Sequence, residues 1–155
     1  MEKFPTQEKL NLKISKIEGP QDFDTIMDIQ KNDGFEHSYY LTEERLGKLH
    51  QRGEEFFIVH LDNKPVAFAS VDMEVRAKLH FFCVNKDNAG KGIGTELLEK
   101  TIQEVANQNF DKIHTFVETD SPAEHFYTKN KFKKVGVHKD RYGEGKDSNI
   151  LERKI

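Results

Sequence analysis

With 155 residues, 33% of them charged and 35% hydrophobic, and with 12 Phe and 4 Tyr, the chain has enough apolar material for one globular core and is not a disordered tail. Its formal net charge of −3 and pI near 6.2 provide no broad basic surface, which argues against a nucleic-acid partner. The lone Cys83 cannot form an internal disulfide, no apolar run reaches membrane-spanning length, and the start MEKFPTQEKL has no signal-peptide core; the expectation is a cytoplasmic protein without a membrane partner, monomeric or homodimeric.

After a polar leader, Leu10, Leu12, Ile14 and Ile17 alternate with polar residues, predicting a half-buried strand that ends at Gly19-Pro20. Asp22 stands where an N-cap belongs, ahead of a helix carrying Phe23, Ile26, Met27 and Ile29 and stopped by Asn32-Asp33-Gly34. Phe35 to Tyr40 reads as an aromatic loop that either holds a substrate or caps the edge of the core. Thr42-Glu43-Glu44 opens a second helix with Leu46 and Leu49, closed by Gly53. Glu55 to Leu61, the turn Asp62-Asn63-Lys64 and Pro65 to Val75 predict a hairpin.

Leu79 to Val84 is a fourth strand, ended by the polar turn Asn85 to Asn88, and Ile93, Leu97, Leu98, Ile102, Val105 and Ala106 then mark one face of a helix. Asp111 to Glu118 follows as a fifth strand, so strand, helix and strand form a crossover unit whose two strands run parallel. Asp120 or Ser121 caps a helix that starts at Pro122 and carries Ala123, Phe126 and Tyr127. Phe132 to Lys139 and Ser148 to Ile155 are closing strands around the glycine-rich loop Arg141 to Asp147. The economical reading is a single α+β domain over residues 1–155, with a mixed, mostly antiparallel sheet of six to seven strands and about four helices.

Gly90, Gly92 and Gly94 lie between the fourth strand and its helix, where free amides and the positive end of the helix dipole favour a phosphate or pyrophosphate. The spacing excludes two common phosphate motifs: Lys91 is followed by Gly92 rather than Ser or Thr, and GxGxG is not GxGxxG. The stretch Ala89-Gly90-Lys91-Gly92-Ile93-Gly94 instead resembles the acetyl-CoA signature of the GNAT superfamily, the GCN5-related N-acetyltransferases, with Ala89 replacing its leading Arg or Gln. A second segment, Asp120 to Gly136, resembles the other signature of that family at Ala123, Phe126, Tyr127, Lys129, Phe132 and Gly136, with Asp120 in place of an Asn and Lys131 in place of a Gly.

The resemblance implies the GNAT fold and transfer of an acetyl group from acetyl-CoA to an amine by direct attack in a ternary complex. In that fold the two parallel central strands splay apart and the pantetheine arm lies between them, bonded to main chain that corresponds to Phe82, Cys83 and Val84. The pyrophosphate corresponds to the turn Ala89, Gly90, Lys91, Gly92, Ile93, Gly94 and Thr95, and Asp120, Ala123 and Phe126 line the same cofactor site. A backbone N–H near Cys83 or Val84 would hold the oxyanion. Tyr127 matches the tyrosine that protonates the departing thiolate; as a helix-face aromatic it also suits the core.

Strict alternation places His80 on the strand face of Phe82 and Val84, where it could take the amine's proton or serve as a half-buried structural histidine. Cys83 falls on the opposite face, as a core residue. Glu118 is the alternative base, an anchor for a cationic substrate, or a solvated strand-end carboxylate. The histidines show no ligand spacing, so no metal is expected. Lys129, Lys131, Lys133 and Lys134 form a basic run that is either a solvated face or an aid to the CoA phosphates. The acceptor expected is a small-molecule amine. The alternatives are a protein N-terminus, since Tyr142 and Asp147 to Leu151 resemble ribosomal-protein alanine acetyltransferases although Thr115 replaces their glutamate, and a non-catalytic acyl-CoA-binding module.

Overall fold

The computed structural model describes residues 10–32 and 41–155; the leader and the aromatic segment Phe35 to Tyr40 lie outside the described residues. Strands β1 (Leu12–Lys16), β2 (Glu55–Leu61), β3 (Lys64–Asp72) and β4 (Lys78–Val84) follow one another across the sheet, each antiparallel to the last. Helices α1 (Phe23–Lys31) and α2 (Glu43–Gln51) join β1 to β2. Helix α3 (Ile93–Asn107) carries the chain from β4 to β5 (Lys112–Glu118), and α4 (Pro122–Lys129), β6 (Lys133–His138) and β7 (Ser148–Lys154) complete it. The seven strands are ordered β1-β2-β3-β4-β5-β7-β6, so β7 inserts between β5 and β6, and only β4 and β5 are parallel neighbours.

Local chemistry explains where the elements begin and turn. Asp62 (φ 50°) and Asn63 (φ 67°) both take the left-handed conformation of a type I′ turn, whose twist matches the flanking strands. Thr42 Oγ1 accepts the Arg45 N–H at 3.1 Å and Ser121 Oγ accepts that of Glu124 at 3.2 Å, capping α2 and α4. Asp22, by contrast, does not cap α1. Pro20 starts a 3₁₀ turn over Pro20–Asp22 ahead of the helix, and the Asp22 carboxylate instead accepts the Glu18 N–H at 3.1 Å.

The sheet is covered on both faces. Helices α3 and α4 supply Leu97, Leu98, Ile102, Val105 and Tyr127 to a core with Phe57, Ala67, Ala69, Val71, Leu79 and Ile113. On the other face α1 and α2 supply Phe23, Ile26, Ile29, Leu46 and Leu49 to a core with Phe56, Ile58 and Phe68. Burying each large side chain contributes about 1.5–3 kcal/mol, so the two layers fix the sheet between them.

One irregularity in β4 overturns an expectation from strict alternation. Val71 pairs with Leu79 and Ser70 with Phe81, leaving His80 as an extra residue without a ladder partner, a β-bulge. The bulge turns Leu79 to the α3 face with Phe82 and Val84, while His80 goes to the α1 face beside Phe81 and Cys83. His80 therefore does not share a face with Phe82 and Val84, and Cys83 is not opposite His80.

Candidate active site

The edge of β4 that faces β5 is almost unpaired. Lys78 and His114 form the only ladder pair, supported by the His114 N–H to Ala77 O bond at 3.0 Å and by Thr115 Oγ1 donating to Leu79 O at 3.1 Å. On their outer sides both strands are laddered along their length, β5 to β7 throughout and β4 to β3 except at the His80 bulge. The main chain of Phe82, Cys83 and Val84 thus borders a gap in the sheet of the kind that accepts an extended chain as a further strand.

Where β4 ends, the chain is shaped for an anion. Asn85 Oδ1 accepts the Asp87 N–H at 2.9 Å and holds a short 3₁₀ turn, Lys86–Asn88, after which Gly90 (φ 80°) and Gly92 (φ 78°) adopt left-handed conformations. The first bond of α3 runs from the Glu96 N–H to Gly92 O at 3.1 Å, and no side chain caps the helix. The amides of Ile93, Gly94 and Thr95 in its first turn consequently have no intrahelical acceptor and carry the positive end of the dipole. Ala89, Gly90, Lys91 and Thr95 are exposed along this turn, with Lys91 Nζ 3.2 Å from Asn88 Oδ1, whereas the Ile93 side chain anchors it in the core. Gly94 lies against the slot, where a Cβ would sit at ordinary packing distance, 3.4 Å from the Phe126 ring and 3.7 Å from that of Phe82.

Tyr127 is buried on the α3 face of the gap, with ring centroids 6.1 Å from Phe82 and 5.1 Å from Phe132. Burial pushes its phenol well above the ordinary tyrosine value, offset in part by hydrogen bonding to Thr115, so it holds its proton throughout the physiological range. Phe126 packs against Phe82 at 5.4 Å, while Ala123 and Asp120 are exposed at the start of the helix. Asp120 (φ 60°) and Lys131 (φ 73°) are both left-handed, which explains why the resembled pattern has Asn and Gly at these places.

On the opposite face lies a cavity of about 620 Å³ bounded by α1, α2, β4, β5 and the β6–β7 loop. His80, Phe81, Phe82 and Cys83 contribute from β4. The His80 ring stacks on Phe81 with centroids 4.2 Å apart, and its Nδ1 is 2.8 Å from Glu54 Oε1. Glu54 is buried, and among the described residues its other oxygen, Oε2, has no hydrogen-bond partner. His80 also lines a smaller cavity of about 180 Å³ together with Glu54, Asp72 and Glu74. Sequence reading missed Glu54. The one available signal was a carboxylate placed directly after the Gly53 turn, at the threshold of an apolar strand.

Glu118 is exposed at the end of β5, and the large cavity is lined by Phe116 from that strand instead. The basic run is exposed throughout, at Lys129, Lys131, Lys133 and Lys134. Among the described residues no group of three His, Cys, Asp or Glu side chains is arranged to hold a metal ion, and no helix is long and apolar enough to cross a membrane.

Comparison with known proteins agrees with this geometry. The fold matches a GNAT-family protein of Desulfovibrio desulfuricans with a TM-score of 0.81 at 19% identity, over 92% of this chain and 98% of that one. The ribosomal-protein-S18-alanine N-acetyltransferase of Escherichia coli matches with a TM-score of 0.79 at 21% identity, over 93% and 94% of the two chains. The PaiA N-acetyltransferase of Thermoplasma acidophilum, whose structure contains coenzyme A, matches with a TM-score of 0.76 at 19% identity, over 94% and 100%. No protein among those with curated functions matches the sequence significantly. The family profile described as Acetyltransferase (GNAT) domain matches residues 23–145. The chain belongs to the GNAT acetyltransferases, a family whose cosubstrate is acetyl-CoA.

Proposed function

We propose that this protein transfers the acetyl group of acetyl-CoA to a primary amine of a small molecule, by direct attack within a ternary complex. The observation that carries the reading is the position of the β4–β5 gap: an uncapped glycine turn stands at its mouth, a buried phenol borders one face, and a histidine–carboxylate pair opens onto the cavity of the other. Acetyl-CoA brings a thioester, whose acyl carbon is open to attack by a neutral amine.

The chain's own residues divide the work. The open edge at Phe82, Cys83 and Val84 binds the extended arm, and the amides from Gly90 to Thr95 seat the phosphates. Glu54, itself buried, holds the His80 ring through Nδ1, which leaves Nε2 to take the proton of the incoming ammonium. Tyr127, protonated because it is buried, stands across the gap as the donor to the thiolate that leaves. Glu118 has no place in this scheme, since its exposed position lies outside the cavity lining.

A thiol-release assay with acetyl-CoA over a broad panel of small amines and peptide N-termini tests the reading. Turnover of small amines is the expected result. Calorimetric binding of CoA with no release from any acceptor would identify a binding module instead, and release confined to peptides would identify a protein N-terminal acetyltransferase.

A further inference from the structure

The large cavity is more cationic than the chain that forms it. The protein carries a net charge of −3, yet among the described residues Arg45, Lys78 and Arg141 all line this one space against a single carboxylate, Asp140. Asp140, whose Oδ1 accepts the Gly145 N–H at 2.8 Å within its own loop, brings one negative charge against three cations, so the lining stays net cationic. None of the three cations has a carboxylate partner within ion-pair distance among the described residues.

They are held by aromatic rings instead. The Arg45 guanidinium lies 5.1 Å from the Phe81 centroid, and Lys78 Nζ and the Arg141 guanidinium lie 4.9 and 4.2 Å from the same Phe116 ring. Two like charges therefore share one ring. Burial and then the nearby Arg141 charge lower the Lys78 pKa, with Asp72 and Glu54 acting more weakly in the opposite sense. An acceptor amine reaches the enzyme as an ammonium, which this lining repels unless the same molecule brings negative charge.

We infer that the acceptor carries an anionic group, a carboxylate or a phosphate, which Arg45, Lys78 and Arg141 hold while the amine is presented to His80. Two planar guanidiniums suit the bidentate geometry of either anion, and Phe81 and Phe116 give the intervening part of the molecule an apolar floor. The inference rests on the acetyl-transfer reading for its amine, but the anion site can be tested without catalysis.

Calorimetry on the protein alone would compare matched probes: phenylalanine with phenethylamine, and phosphoethanolamine with ethanolamine. The anionic member of at least one pair is expected to bind about tenfold more tightly or better, and the responding pair distinguishes carboxylate from phosphate. Arg141→Gln and Arg45→Gln, on separate elements, should each reduce that ratio severalfold, so local damage to one loop cannot account for both. Equal or tighter binding of the uncharged-tail member in both pairs, or a ratio that survives both substitutions together, would overturn the inference. With acetyl-CoA added, thiol release should follow the same order. Flat release with the binding preference intact removes the acetyl-transfer reading and leaves the anion site standing; turnover confined to amines without an anionic group does the reverse.

Discussion

Oε1 of Glu54 lies 2.8 Å from Nδ1 of His80, joining a residue just before β2 to one in the middle of β4. A carboxylate on one ring nitrogen fixes the orientation of the other, so in the proposed reaction Glu54 would position the proton acceptor. His80→Gln is expected to lower kcat by about 100-fold. Glu54→Gln should keep the fold and lower kcat less, because an amide oxygen can still accept from Nδ1–H. A kcat unchanged by Glu54→Gln would show that the carboxylate only packs.

Tyr127→Phe preserves the packing of this ring against Phe82 and Phe132 and removes only the hydroxyl. Turnover should fall by about 100-fold while calorimetric affinity for acetyl-CoA stays within about twofold. Equal losses in both would assign the hydroxyl to binding.

Gly92 and Gly94 should fail differently when replaced by alanine. At Gly92 a Cβ meets nothing within 4 Å, but φ is +78°, so Gly92→Ala costs about 1–2 kcal/mol through backbone conformation and distorts the anion seat. Gly94 is helical and its Cβ would touch Phe126 at 3.4 Å, so Gly94→Ala should retain most of the stability and lose CoA affinity. Denaturant melts paired with CoA titrations separate the two.

Lys131 occupies a left-handed position at φ 73° between α4 and β6. Lys131→Gly relieves its steric cost of about 1–2 kcal/mol, less about 0.5–1 kcal/mol for the freer unfolded chain. A net gain of up to about 1.5 kcal/mol in chemical denaturation is expected.

His114 supplies a pH dependence of stability. Burial first, then the charges of Lys78 and Arg76, lower its pKa below the ordinary value near 6.5. Between that lowered value and 6.5 the unfolded chain binds more protons than the folded one, so this contribution is intact above about pH 6.5 and is lost as pH falls through the window. His114→Asn should flatten the slope of stability against pH there, as read by denaturant melts at stepped pH.

Much of the fold follows from periodicity. The β2–β3 turn, the Thr42 and Ser121 caps and the start of α3 at Ile93 rest on contacts between near neighbours in sequence, and the parallel relation of β4 to β5 follows from the helix that crosses between them. The insertion of β7 between β5 and β6 depends on long-range pairing, which alternation alone does not encode. The site divides in the same way. The glycine turn is a local device and its conformation is therefore legible, and Tyr127 falls on α4 as the second signature implies. The face of His80 was misread because one unpaired residue in β4 shifts the phase of everything before it, and the Glu54 partnership spans 26 positions with no pattern to announce it.

The sheet is joined at its middle by a single ladder pair, with β1 to β4 on one side of the seam and β5 to β7 on the other, while the α3 core spans both. Whatever extended molecule laces that seam supplies the missing cross-links, so its abundance sets resistance to unfolding as well as reaction rate. Heat or protease should therefore find the unliganded protein first along this line, where hydrogen exchange would be fastest at the main chain beyond Leu79.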